Sequence, residues 1–129
     1  MRKRVLVLDD QQYLRDIQAL LLKEAGYATT ALGDCAEALA RLDELRPDLI
    51  VLDMSMPGMD GRQFLYHLRR DADWADVPVI ITTGRLAEEF ETLATDSVDV
   101  LAKPFSDSAL IEHVRRHIGD PGPRAAVAT

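Results

Sequence analysis

Side chains suited to phosphate chemistry stand at the ends of four short apolar runs in this 129-residue chain. Asp9 and Asp10 follow the first run, Asp53 follows the third, and Thr83 and Lys103 stand at the ends of the fourth and fifth. Parallel strands of one sheet bring their carboxyl ends to the same edge. If the runs are such strands, we expect three carboxylates, a hydroxyl and an ammonium group to meet in one place.

Three carboxylates held together need a compensating charge. Two like charges about 4 Å apart repel by roughly 4 kcal/mol at an effective dielectric constant near 20. Protonation of one carboxylate would relieve this repulsion, but a hard divalent cation relieves it better. Mg²⁺ is favoured over Zn²⁺ or copper, because no thiolate or imidazole is placed to join the set. Asp9 and Asp10 are then expected to hold the ion.

The remaining groups predict a phosphoryl-transfer site. Lys103 can pair with one phosphoryl oxygen, and the hydroxyl of Thr83 can donate to another. Asp53, with the metal beside it and these two groups opposite, is the expected nucleophile for an attack that leaves an aspartyl phosphate. No G-x-x-x-x-G-K-[ST] segment is present, so a nucleoside triphosphate is not the evident substrate.

Strand and helix patterns alternate five times along the chain. Short connections between them predict a doubly wound α/β domain, with a five-stranded parallel sheet and five helices. The runs around Val5, Ile50 and Ile80 are apolar on both faces, as central strands require, whereas those at Thr29 and Asp99 are mixed, as edge strands are. This favours the flavodoxin-like order 2-1-3-4-5, in which ligands gather where the order reverses, between the first and third strands.

Charge, apolar run lengths and cysteine count argue against several classes of protein. Fifteen Lys and Arg against 22 Asp and Glu give a net charge of −7, which argues against direct nucleic-acid binding. No apolar run is long enough for a signal peptide or a membrane span, and the single cysteine, Cys35, cannot form an internal disulfide, so a cytoplasmic protein is expected. We expect one domain over residues 1–118, and a flexible C-terminal tail or linker stub over residues 119–129.

Four segments together resemble the motifs of one family, the receiver domain of two-component response regulators. They are Asp9-Asp10, the stretch 52–61 around Asp53, Thr83-Gly84 and Lys103-Pro104-Phe105. The resemblance covers residues 4–118, and few short motif sets are so specific.

This resemblance implies a mechanism and partners. Asp53 would take a phosphoryl group from the phosphohistidine of a sensor histidine kinase or histidine phosphotransfer protein. Mg²⁺ would be held by Asp10, Asp53, the backbone carbonyl of Ser55 and, through water, Asp9. A cis Lys103-Pro104 peptide bond is also implied. The domain would catalyse only its own phosphorylation and dephosphorylation, and would switch a surface read by a downstream protein or an output domain, with dimerisation left open.

Three departures from the family pattern stand out. Val100 occupies the position where the family commonly has Tyr or Phe, so the aromatic half of the usual switch is missing. The stretch from 84 to 103 is slightly short and carries Thr95-Asp96-Ser97 in place of a Gly-Ala turn. Ser55 and Arg85 stand where family members influence the access of water to the phosphoryl group, and we expect them to set the lifetime of the signal.

Two other functions are compatible with parts of this pattern. An aspartyl-phosphate phosphatase of the haloacid-dehalogenase type would need a D-x-D arrangement after the first strand, whereas Asp9 and Asp10 are adjacent. A phosphorylation-independent interaction module would not need the intact set of acids, threonine and lysine.

A histidine pair and an exposed helix face lie outside the predicted site. His113 and His117 are four residues apart and could share a metal, but an ordinary surface pair is the favoured interpretation. Gln12, Tyr13 and Arg15 on the first predicted helix form a plausible docking face for a kinase.

Overall fold

A computed structural model describes residues 2–84, 93–95 and 97–122. Its centre is a five-stranded, fully parallel sheet in the order β2-β1-β3-β4-β5. The strands are β1 (Arg4–Leu8), β2 (Ala28–Leu32), β3 (Leu49–Asp53), β4 (Val79–Thr83) and β5 (Val98–Ala102). The predicted fold class and strand order are confirmed.

Five helical segments lie in the described part of the chain. They are α1 (Gln12–Glu24), α2 (Cys35–Ala40), α3 (Leu42–Leu45), α4 (Gly61–Arg69) and α5 (Asp107–Ile118). The second predicted helix is divided at Arg41 into α2 and α3. The helix predicted around Leu86 and Phe90 falls outside the described residues.

The helix starts follow from local capping chemistry. The Asp34 side chain accepts a hydrogen bond from the Glu37 N–H at 2.8 Å and so begins α2. Asp60 begins α4 with a complete capping box, in which the Asp60 carboxylate accepts from the Gln63 N–H and the Gln63 side-chain oxygen accepts from the Asp60 N–H. Asp60 therefore fixes the end of the loop that leaves Asp53.

Two apolar clusters cover the two faces of the sheet, because alternate residues of each central strand point to opposite sides. Leu6, Leu8, Ile50, Leu52 and Ile81 pack with α2, α3 and α4 on one face. On the other face, the intervening strand residues pack with α1 and α5 through Leu22, Leu110 and Val114. Strands β1, β3 and β4 are buried on both faces as expected, apart from half-buried Arg4 at the start of β1, whereas β2 is half-buried.

The buried face of α1 is not set by its leucine run alone. Leu20 is 56% exposed although it belongs to that run. The residues of this helix that are buried are Gln18, Ala19 and Leu22. Three consecutive leucines at 20–22 fit more than one helical phase, and packing against β1, β2 and α5 selects the one that buries Leu22.

Trp74 joins two parts of the fold. Its indole N–H donates to the Asp43 carboxylate of α3 at 3.2 Å. The Arg69 guanidinium of α4 donates to the carbonyls of Trp74 and Val77. The ring thereby ties α3 to the loop between α4 and β4.

The first residues beyond α5 are hydrogen-bonded to the domain. The Tyr27 hydroxyl donates to the Gly119 carbonyl at 2.7 Å, and the Lys3 N–H donates to the Pro121 carbonyl at 2.7 Å. These bonds hold the first residues after α5 against the domain. The flexible tail or linker expected over residues 119–129 stays a prediction. None of the helices described here is long and apolar enough to cross a membrane.

Candidate functional site

Three of the predicted site residues come together at the carboxyl ends of β1 and β3. Carboxylate oxygens of Asp9, Asp10 and Asp53 all lie within 4.8 Å of one another. The connections after these two strands diverge, since β2 lies on one side of β1 and β4 lies beyond β3. Asp9 is fully buried, Asp53 is 4% exposed, and Asp10 is exposed.

Three hydrogen bonds hold the Asp9 carboxylate in place. Its Oδ1 accepts from the Gln11 N–H at 3.0 Å. Its Oδ2 accepts from the Gln18 amide at 3.2 Å and from the Lys103 ammonium at 3.1 Å. Because both oxygens are engaged, Asp9 is better placed to orient other groups than to attack a substrate, which argues against a phosphatase that uses this residue as its nucleophile.

Asp53 has one oxygen on a backbone donor and one near a cation. Its Oδ1 accepts from the Ser55 N–H at 3.1 Å, and its Oδ2 lies 3.5 Å from the Lys103 ammonium nitrogen. Burial raises the pKa of this carboxyl above its ordinary value. The Ser55 N–H and Lys103 act to lower the pKa, whereas the charges of Asp9 and Asp10 act to raise it.

Lys103 and Thr83 reach the same edge from β5 and β4. The Lys103 N–H donates to the Thr83 carbonyl at 2.7 Å, which continues the β4–β5 ladder to the site. The peptide bond between Lys103 and Pro104 is cis, as the resemblance implied. Thr83 is fully buried at the end of β4.

The donor set at this edge fits a hard divalent cation. The three ligand candidates offer carboxylate oxygens, and Asp10 is the one that solvent reaches. Mg²⁺ prefers such oxygens and keeps several waters, which the exposed side can supply. Among the described residues, Lys103 pairs with Asp9 and Asp53, and its one positive charge leaves negative charge in the three-carboxylate cluster for a cation to offset. The carboxylate donor set therefore fits the expected metal. Ser55 is exposed beside the cluster.

Three supporting residues were missed in the sequence. Gln18 was hidden within an apolar helix pattern, yet its amide fixes Asp9. The Arg15 guanidinium donates to the Asp9 carbonyl at 2.9 Å, so this half-buried side chain is not the freely exposed docking residue that was expected. Gly61 has no room for a side chain, because a Cβ there would lie 2.8 Å from the Met54 Cα and 3.1 Å from the Asp53 carbonyl oxygen.

Sulfur-containing side chains pack beneath the site. Met54 and Met56 are buried beneath the loop after Asp53, and the Cys35 thiol contacts the Met56 sulfur at 3.6 Å. Burial raises the pKa of Cys35 to about 12, as is typical of a structural, unreactive thiol. Arg85 falls outside the described residues.

The comparisons with known proteins agree with this site. The family model described as "Response regulator receiver domain" matches residues 5–115. The chain is 35% identical over 117 residues to the phosphate regulon transcriptional regulatory protein PhoB of Escherichia coli, covering 89% of this chain and 51% of PhoB. It is also 35% identical over 120 residues to the DNA-binding response regulator MtrA of Mycobacterium leprae, covering 92% of this chain and 52% of MtrA.

Solved structures show the same architecture. The chemotaxis protein CheY4 of Vibrio cholerae superposes with a TM-score of 0.82 at 27% identity, covering 92% of this chain and all of CheY4 (100%). The chain spans about half the length of the curated relatives named above. From the family match, the relatives and the fold, we conclude that this chain belongs to the response regulator receiver family and is a phosphoacceptor signalling domain.

Proposed function

We propose that Asp53 is the phosphoryl acceptor of this receiver domain. The observation that carries the proposal is the carboxylate of Asp53, which lies beside Asp9 and Asp10 with one oxygen held by the Ser55 N–H and the other near Lys103. Asp9 has three hydrogen-bond donors on its two oxygens, and Asp10 is exposed. Asp53 is thus buried, accepts fewer hydrogen bonds than Asp9, and lies 3.5 Å from the Lys103 ammonium nitrogen.

Asp10, Asp53 and the backbone carbonyl of Ser55 would hold Mg²⁺ directly, and Asp9 would hold it through water. The ion supplies positive charge that offsets the carboxylates and the incoming phosphoryl oxygens. Gln18 and Lys103 keep Asp9 oriented toward this position.

The reaction transfers a phosphoryl group between two protein side chains. An oxygen of Asp53 forms a bond to phosphorus as the bond from phosphorus to the donor imidazole nitrogen breaks, and the imidazole keeps the electron pair. Lys103, now shared between Asp9 and Asp53, would pair with a phosphoryl oxygen, and the Thr83 hydroxyl would donate to another. The domain would catalyse only this step and the later hydrolysis.

The phosphodonor would be a sensor histidine kinase or a histidine phosphotransfer protein. Tyr13, 76% exposed at the start of α1 and four residues after Asp9, and the exposed Gln12 beside it would be part of its docking face. The names of PhoB and MtrA describe regulation of transcription and DNA binding, so a further domain or a downstream protein would read the signal here. Val100, half-buried in β5, would make that response differ from one driven by an aromatic switch.

The proposal is tested by phosphorylation with a small phosphodonor. The wild-type protein incubated with acetyl phosphate and Mg²⁺ should gain one phosphoryl group by intact-mass measurement, and omission of Mg²⁺ should abolish the gain. Asp53→Asn should gain none, whereas Asp73→Asn, which alters an exposed loop carboxylate, should behave as the wild type. Equal labelling of the Asp53→Asn protein would show that another residue is the acceptor.

A further inference from the structure

A second group of metal-ligating side chains lies on the outer face of the domain, where β5 meets α5. Asp99 of β5 directs its Oδ2 toward two imidazoles of α5. This oxygen lies 3.6 Å from His113 Nε2 and 3.4 Å from His117 Nε2. The side chains of His113 and His117 are only 18% and 12% exposed, so these histidines are mostly covered and not freely exposed at the surface.

The hydrogen bonding of His113 fixes which of its ring nitrogens can bind a cation. His113 Nδ1 lies 2.8 Å from the Ala109 carbonyl oxygen, a contact that requires a proton on Nδ1. In the neutral ring, the lone pair is then on Nε2, which faces the Asp99 carboxylate. Metal-ligating histidines commonly donate their other N–H to a backbone carbonyl in this way.

The distance from Asp99 to each imidazole also suits a small transition-metal ion. Two ligands on a tetrahedral ion with bonds of about 2.0–2.1 Å lie about 3.3 Å apart. The two distances from the Asp99 oxygen to the ring nitrogens, 3.4 and 3.6 Å, are close to this value. A nitrogen lone pair facing a carboxylate is unfavourable unless a proton or a cation lies between them, so the arrangement has a chemical reason to take up an ion.

We propose that Asp99, His113 and His117 form a site for a transition-metal dication such as Zn²⁺. Imidazole ligands favour Zn²⁺, Co²⁺, Ni²⁺ and Cu²⁺ over Mg²⁺, so this site and the carboxylate cluster around Asp53 select different metals. Water would complete the coordination from the solvent side. The site lies beside Val100, and an occupying ion would fasten α5 to the edge strand of the sheet.

Completing this site would require the two imidazoles to approach each other. The three ligand atoms do not yet all lie within 4.8 Å of one another, since among the described residues only the Asp9 cluster meets that condition. The His117 Nε2 lies 3.4 Å from the Asp99 Oδ2, and a rotation of this ring toward His113 would bring the two imidazoles together. Arg116, which also approaches the Asp99 oxygen at 3.4 Å, is 61% exposed in its side chain and can move into solvent.

The test is a metal titration of the full chain in excess Mg²⁺, which keeps the Asp53 cluster occupied. We expect Co²⁺ to produce visible absorption bands with one equivalent bound, and Zn²⁺ to displace it. His113→Gln and His117→Gln should each weaken Co²⁺ binding by at least about tenfold, the lower end of the losses seen when even indirect metal-site residues are removed. His67→Gln is the matched control, because His67 is the remaining histidine and lies on α4.

Two results would overturn the proposal. One is the absence of saturable Co²⁺ binding to the folded wild-type protein. The other is binding that His113→Gln and His117→Gln leave unchanged, which would place the ion elsewhere, such as at the acidic cluster. Circular dichroism of each variant identifies any loss of folding, and titration of Asp99→Asn, which keeps the side-chain shape, then gives an independent measure of the carboxylate's part. Failure of this site would leave the role of Asp53 unaffected.

Discussion

Replacing Lys103 by methionine should destabilise the domain, because this ammonium group faces two buried carboxylates. It lies 3.1 Å from Asp9 and 3.5 Å from Asp53. At an effective dielectric constant near 20, each contact corresponds to about 5 kcal/mol of Coulomb attraction, most of which is offset by desolvation. Removing one partner of a buried pair typically costs about 3–5 kcal/mol, and we expect the lower end because Lys103 keeps some contact with solvent.

The loss should depend on pH with a defined sign. The pKa of Asp53 is already raised in the folded protein, so the folded state holds a proton on this group more readily than the unfolded state does. Acidification therefore favours folding at this site. The destabilisation by Lys103→Met should be largest at neutral pH and should shrink as the pH falls and the Asp53 carboxylate takes up a proton.

Urea unfolding followed by fluorescence of Trp74, the single tryptophan, measures this effect. Lys23→Met is the matched control, since Lys23 is exposed near the end of α1, and it should change the free energy of unfolding by less than about 0.5 kcal/mol. Asp9→Asn introduced together with Lys103→Met should recover part of the loss, with a coupling of at least about 1 kcal/mol. Equal effects of the two lysine substitutions, or strictly additive effects of Asp9→Asn and Lys103→Met, would refute this electrostatic reasoning.

Three more outcomes are expected. The Cys35 thiol, with its pKa near 12 and its side chain buried, should react with a disulfide reagent at about pH 8 roughly a thousandfold more slowly in the native protein than in urea, and equal rates would contradict its burial. Gly61→Ala should lower the free energy of unfolding by at least about 1 kcal/mol, because the added Cβ collides with the backbone of Met54. The phosphorylation rate should fall as well. Unchanged values would show that the loop adjusts freely. Tyr27→Phe should cost about 1 kcal/mol in urea unfolding by removing the hydrogen bond to Gly119, and no loss would mean that this bond contributes nothing.

The sheet and its strand order were predictable because each central strand is a run of consecutive apolar residues. The apolar runs that became β1, β3 and β4 have no alternation, which requires cover on both faces. Their order then follows, since the mixed runs must lie at the edges. The position of the acidic cluster needed only this topology, because Asp9, Asp10 and Asp53 directly end two adjacent strands.

Contacts that depend on the packing of helices could not be predicted in the same way. Gln18 acquires its role only when α1 takes the phase that buries Leu22 and exposes Leu20. Several phases satisfy a run of leucines equally well, so periodicity does not choose among them. Likewise, Asp99 and His117 are 18 residues apart, and their contact depends on how α5 lies along the edge strand.

The central claim, that Asp53 accepts the phosphoryl group, is tested most directly by locating the modified residue. Aspartyl phosphate is reduced by borohydride to homoserine, which peptide mass spectrometry can assign to one position. After treatment with acetyl phosphate and Mg²⁺, we expect homoserine at position 53 in the wild-type protein and at no other aspartate. Homoserine at position 9 or 10, with position 53 unmodified, would contradict the proposed geometry of phosphoryl transfer.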